Sequence, residues 1–158
     1  MDHYLLYKMI HLLGVVLFLG NIIVTGWWKL MADRNGDPLV VAFAQRQVTL
    51  TDYLFTAGGA LLVLFGAMTN AMKSPGDWSF MQVAWMAWGF SLFTASGIIW
   101  ATILVPIQVR QARMAETFRR DEAIPENYWR LGRRWLFWGT LATLLPLSNL
   151  YWMVFKPA

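Results

Sequence analysis

The sequence predicts an all-α integral membrane protein: a four-helix bundle running up, down, up and down through the bilayer as a single domain over residues 1–158. Three observations carry this. The chain is 58% hydrophobic and only 14% charged, whereas a soluble domain of ordinary composition is about 25% charged. Its apolar residues gather into four stretches, each near the ~20 residues that a membrane-crossing helix needs. Lysine and arginine are sorted to one side of those stretches, as the positive-inside rule requires.

The expected spans are Tyr4 to Trp28, Asp52 to Met72, Phe80 to Val105 and Trp135 to Phe155. The stretch "KSPGDW" joins the second and third, where Pro75 and Gly76 break the helix in a tight hairpin. Residues 29–51 and 106–134 read as two longer polar connections, the second opening as a helix to about Arg120 and turning back near Pro125. Lys29, Arg34, Arg46, Arg110, Arg113, Arg119, Arg120, Arg130, Arg133 and Arg134 lie on the side of these connections, against Lys8, Lys73 and Lys156 on the other. Both connections are therefore expected in the cytoplasm, and both termini on the outer side of the membrane. Trp27, Trp28, Trp78, Trp135 and Trp152 stand near span ends, where an aromatic belt belongs. No basic stretch and cleavage site precede the first apolar run, so it reads as a retained helix.

Composition also excludes chemistry. The absence of cysteine rules out disulfides, iron–sulfur clusters, thiolate zinc sites and cysteine nucleophiles. The net charge of +4 comes mostly from the arginine-rich connection and speaks to topology and lipid headgroups rather than to nucleic acid. Phosphate-binding loops, dinucleotide fingerprints and a Ser-His-Asp set are missing, and no complete catalytic constellation is visible, which weighs against an enzyme.

Helical spacing sorts the polar residues onto faces. Lys8, His11, Gly14, Phe18, Asn21 and Thr25 share one side of the first span. Asp52, Thr56, Gly59, Val63, Gly66 and Asn70 form a stripe of polar and small residues on the second. Gln82, Trp85, Met86, Gly89, Ser96 and Trp100 lie together on the third, and Trp138, Leu145, Asn149 and Trp152 on the fourth. Such faces point into the bundle, because a polar group in hydrocarbon goes unsatisfied. Asn21, Thr25, Arg46, Asp52, Thr56 and Asn70 are the expected structural polar stripe. Asp52 reads either as a carboxylate at a helix N-terminus, capped by Thr49 or Thr51, or as a proton-handling group or ion-pair partner of Arg46.

His11 has two readings. It can hydrogen-bond Asn149 or Gln82 and lock helix packing. It can also ligate a metal, since neutral imidazole suits haem iron and copper. Met86 would then be the second ligand, with Gln82, Asn149, Lys8 and Trp85 around it. Methionines 1, 9, 68, 72, 81, 86 and 153 and the N-terminal "MDH" give copper a lesser claim. Methionine is also a common filler of irregular gaps.

The segments "KMIHLLGVVLFLGN", "TLTDYLFTAGGALLVLFGAM", "SGIIWATILVPIQVR" and "YWMVFKP" resemble, in order and over most of the chain, a family of uncharacterised bacterial predicted integral membrane proteins with four spans. That family is distantly similar to the group of copper-resistance D proteins and HemJ-type protoporphyrinogen oxidases, through a first-span lysine, histidine and glycine, here Lys8, His11 and Gly14 or Gly20. The resemblance implies a histidine that holds haem. The later-span lysine of the porphyrin enzymes has no counterpart in Phe80 to Val105, so what carries over is binding of haem b or a porphyrin rather than the oxidase reaction. The expected function is thus a haem- or porphyrin-binding, redox-associated membrane protein using His11. The alternatives are a cofactor-free accessory subunit of a larger membrane or respiratory complex, and a copper-handling or small-solute transport protein. The lipid bilayer is the one partner expected under every reading.

Overall fold

The computed structural model describes residues 3–73, 83–120 and 122–156, the side chains of 70–73 excepted. The expected Pro75 hairpin, Trp78 and Gln82 lie outside the described residues. The described residues form helices joined by short connections, with no strand.

Helix α1 spans His3–Asn35. It is stopped by Gly36 at φ 75°, a left-handed position that glycine takes without strain. Asp37 then starts α2, Pro38–Thr51, by accepting from Leu39 N and Val40 N at 2.8 and 3.3 Å. "NGDP" is thus a complete stop-and-start signal, with proline at the first helical turn. The connection expected over 29–51 is therefore helical on both sides of this short turn. α2 passes without a break through a π segment, Asp52–Ala57, into α3, Gly58–Lys73. α4, Ala84–Ile99, similarly passes through a second π segment, Trp100–Leu104, into α5, Val105–Ala115. Pro106 accounts for the second widening, since it has no N–H for the carbonyl four residues back. α5 ends at Ala115, short of the expected Arg120, and α6 begins at Glu126 and runs to Phe155.

Among the described residues, three helices are long and apolar enough to cross a membrane: His3–Asn35, Pro38–Thr69 and Ala84–Ala115. α6 falls outside that set. Arg130, Arg133 and Arg134 crowd its first turns, and Pro146, Ser148 and Asn149 dilute the rest. The 33 residues of α1 make a helix of about 50 Å, against a hydrocarbon core of about 30 Å.

The helices pack as two antiparallel pairs. Going up α1, His11 meets Val63 and Gly66, Gly14 meets Gly59, and Asn21 meets Thr56 and Asp52. Going up α4, Gly89 meets Asn149 and Ser96 meets Ala142, and at the end of the π segment Leu104 approaches Gly139. The α1–α3 seam is closed by glycine. A Cβ on Gly14 would stand 2.6 Å from Val63 N, one on Gly59 2.7 Å from Phe18 N, and one on Gly66 2.7 Å from His11 N. These are backbone atoms that cannot yield, so small residues set the helix separation, as in membrane bundles generally. In the α4–α6 pair, Pro146 leaves the Ala142 carbonyl without its helical donor, and Ser96 Oγ supplies the missing bond at 2.7 Å.

Candidate functional site

The two π segments stand at the same level of the bundle and frame its most elaborate polar cluster. Widened helical turns of this kind are frequent at functional sites. Asp52 and Thr56 come from the first, both buried. Three donors converge on Asp52: Asn21 Nδ2 at 3.1 Å and Thr56 Oγ1 at 2.9 Å on one oxygen, and Gln108 Nε2 on the other. Asn21 Nδ2 also reaches Thr56 Oγ1 at 2.9 Å. Every partner gives a proton, which is what an acceptor-only carboxylate calls for.

This corrects two expectations. Asp52 lies inside a continuous helix and not at its N-terminus. Thr49 and Thr51 hydrogen-bond back to Gln45 O and Gln47 O and cap nothing. Nor does Asp52 pair with Arg46, which is exposed on another face of α2. The physical reason is shared: once 38–51 is helical, Arg46 is six residues away, outside the three- and four-residue spacings that bring side chains together.

A second buried cluster continues from the first. Gln45 Nε2 reaches Gln108 O at 3.5 Å, Tyr128 OH donates to Gln45 Oε1 at 3.2 Å, and Lys29 Nζ donates to Tyr128 OH at 3.1 Å. Lys29 is only 2% exposed, pairs with Asp33 at 3.2 Å and stands 5.0 Å over the Tyr128 ring. Burial, and then the Asp33 charge, push the Tyr128 phenol above its ordinary range, so it stays a neutral hydroxyl able to donate and accept. The spacing Asn21, Thr25, Lys29, Asp33 continues the α1 stripe by full turns. Reading 29–51 as a loop hides it. Gln108 and Gln111 share a face at helical spacing but sit in a stretch dominated by arginine.

Beside the Asp52 cluster lies a cavity of 460 Å³. Its walls are mostly apolar, and Asp52, Thr56 and Gln108 are among its few polar lining residues. Ile23, Trp27, Leu136 and Leu144 line it and are also exposed on the outside of the bundle, so it opens sideways between α1 and α6. Three further lining residues are glycines: Gly26, Gly97 and Gly139. A Cβ on Gly26 or Gly97 would meet nothing within 4 Å, and one on Gly139 only Leu104 Cδ2 at 3.9 Å.

His11 and its expected companions are at the other end. His11 is half-buried, and its Nδ1 stands 2.9 Å from Val63 O. Because a carbonyl only accepts, Nδ1 is the donor in this contact. Asn149 donates to Gly89 O at 3.1 Å, and its Oδ1 is buried without a partner. His11 therefore takes a backbone carbonyl, and Asn149 is held by Gly89. Met86 is buried, Trp85 lies under Lys156 Nζ at 5.1 Å, and Lys8 is exposed on the first turns of α1, clear of the interior face expected for it. Gln82 lies outside the described residues, as does the Asn70 side chain. Among the described residues no three His, Asp or Glu side chains gather as a metal site would require.

Residues 5–157 match the family described as predicted integral membrane protein (DUF2269). The chain belongs to this family. The match covers both pairs of helices, the Asp52 cluster and the cavity. No curated protein and no solved structure is detectably similar to the chain.

Proposed function

We propose that this DUF2269 protein is a four-span protein of a bacterial inner membrane, with both termini on the outer side, that binds an amphipathic molecule taken from the lipid phase. The cavity carries this reading. At 460 Å³ it lies within the roughly 300–1,000 Å³ of small-molecule sites, which join apolar walls to a few placed polar groups. Its sideways mouth faces where lipid would stand, and three glycines on three helices leave it room. The lysine and arginine asymmetry supports the orientation, putting the Lys29–Tyr128 cluster toward the cytoplasm.

The test is mass spectrometry of the protein purified in mild detergent, wild type beside Gly97→Leu. The expected result is a co-purifying lipid-soluble molecule, near stoichiometric, that the filled cavity loses while the fold is kept. Equal retention by both proteins would overturn the reading. A cysteine placed at Arg120 or at Lys156, labelled by a membrane-impermeant reagent in intact cells, tests the orientation: only the second should react.

A second reading is favoured by one observation at His11. A metal-bound imidazole usually holds its other N–H on a carbonyl or carboxylate, and the Val63 carbonyl provides this, leaving Nε2 to ligate. Haem or a porphyrin there, with Met86 as a further ligand, accords with the resemblance to the copper-resistance D and HemJ-type group. Haem would supply one-electron chemistry, and His11 would hold and orient it. An absorption spectrum decides it: a Soret band that His11→Ala removes supports this reading, and a colourless protein from haem-sufficient cells sinks it.

A further inference from the structure

The hydroxyls around the cavity are already engaged. Ser96 Oγ donates to Ala142 O, Thr25 Oγ1 to Asn21 O, and Thr140 and Thr143 to carbonyls of their own helix. Two buried polar atoms on the lining residues have no partner, and both are donors: the indole N–H groups of Trp100 and Trp135. Trp135 is only 8% exposed. Its ring lies under the Lys29 ammonium at 5.8 Å, which has no lone pair to offer. The Trp100 N–H is already drawn to the Asp52 carboxylate, in a contact short of good hydrogen-bond geometry, so Trp135 is the donor left wholly without an acceptor.

An indole nitrogen donates and never accepts. A molecule that completes this cavity must therefore bring acceptors. Asp52 sets its charge, because an anionic head beside a carboxylate is repelled, and strongly so at low dielectric. The walls set its body, which must be apolar.

We propose that the cavity takes a neutral carbonyl compound of the lipid phase, either a quinone or an ester-linked lipid, whose carbonyl oxygen accepts from Trp135 and secondarily from Trp100. This rests on the reading of the cavity as a ligand site, and it adds the class of ligand.

The experiment is calorimetric titration of the purified protein in nanodiscs with four probes of equal tail length: decylubiquinone, didecanoylglycerol, decanoate and decylbenzene. A carbonyl probe should bind roughly three- to tenfold more tightly than decylbenzene, the worth of one hydrogen bond. Decanoate should bind more weakly than either carbonyl probe. Trp135→Phe should erase most of that advantage and Trp100→Phe less of it. Both variants keep an aromatic ring, and Trp135→Phe strands no acceptor. Preference for decylubiquinone assigns a quinone, and preference for didecanoylglycerol an ester lipid; each sustains the proposal. Should decylbenzene bind as tightly as both carbonyl probes in the wild type, the proposal is wrong, whether or not the tryptophan variants fold. The cavity reading then survives if Gly97→Leu still blocks binding. If Gly97→Leu blocks no probe, both readings fail together.

Discussion

At Gly14, Gly59 and Gly66 the missing side chains let two helices touch; at Gly26, Gly97 and Gly139 they leave a hole. The first set lies at the His11 end of the bundle, where each Cβ would run into backbone within 3 Å. The second lines the cavity at the Asp52 end, where a Cβ would meet open space or one distant methyl group. The same residue type thus serves contact in one region and vacancy in the other. The difference lies in what stands opposite. Lipid tails are as apolar as leucine, so membrane helices gain by close approach of small residues. A lateral cavity gives up that contact, and persists because the polar cluster beneath it ties α1, the 38–73 helix and α5 together by hydrogen bonds.

Substitutions can break this comparison or sharpen it. The largest effect is expected for Gly59→Leu. Its side chain would collide with the Phe18 backbone and cost about 3 kcal/mol or more, as overpacking of a rigid contact does. Thermal unfolding in detergent should show a large fall or no folded protein. Next comes Asp52→Ala, which strands the Asn21, Thr56 and Gln108 donors. A loss of about 2 kcal/mol is expected from unsatisfied buried donors, read by the same unfolding measurement. An unchanged midpoint would mean that the cluster does not tie the helices together. Ser96→Ala should cost about 1 kcal/mol, within the range of interhelical hydrogen bonds in membranes, because the Ala142 carbonyl above Pro146 loses its donor. Restoring that donor by Pro146→Ala in the same chain should recover part of the loss, which a double-mutant cycle measures. The smallest effect on stability belongs to Gly97→Leu, within about 0.5 kcal/mol of wild type, as for surface changes that touch nothing. Its effect should fall on the ligand alone. A Gly97→Leu protein as damaged as Gly59→Leu would erase the distinction between the two glycine sets.

Parts of this were open to reading in the sequence. The buried face of the 38–73 helix is one, because Asp52, Thr56, Gly59, Val63 and Gly66 recur at full turns and a polar group has nowhere else to go in a lipid-facing helix. The buried faces of Phe18, Thr25, Met86 and Ser96 follow from the same spacing. The continuity of the helix through 38–57 was not legible. Threonines and a charged residue before an apolar run look like a helix start, and nothing local announces a π turn. Lys29, Gln45, Gln108, Gln111 and Tyr128 escaped for a related reason: they lie where composition turns polar, and polar composition alone does not distinguish a solvated connection from a packed helical end.

The sequence by itself determined that this is a helical membrane protein, through apolar stretches too long for soluble helices, and which side of each helix carries polar groups, through their period. The stop and start at "NGDP" is encoded locally as well, although reading 29–51 as a polar connection passed over it. Only the tertiary structure decided which glycines close a seam and which leave a cavity, that Asp52 meets Gln108, a residue 56 positions away, and that the Trp135 indole N–H in the cavity wall is left without an acceptor. Those outcomes depend on what each residue faces across the bundle, and helical period along one chain segment does not encode the partner.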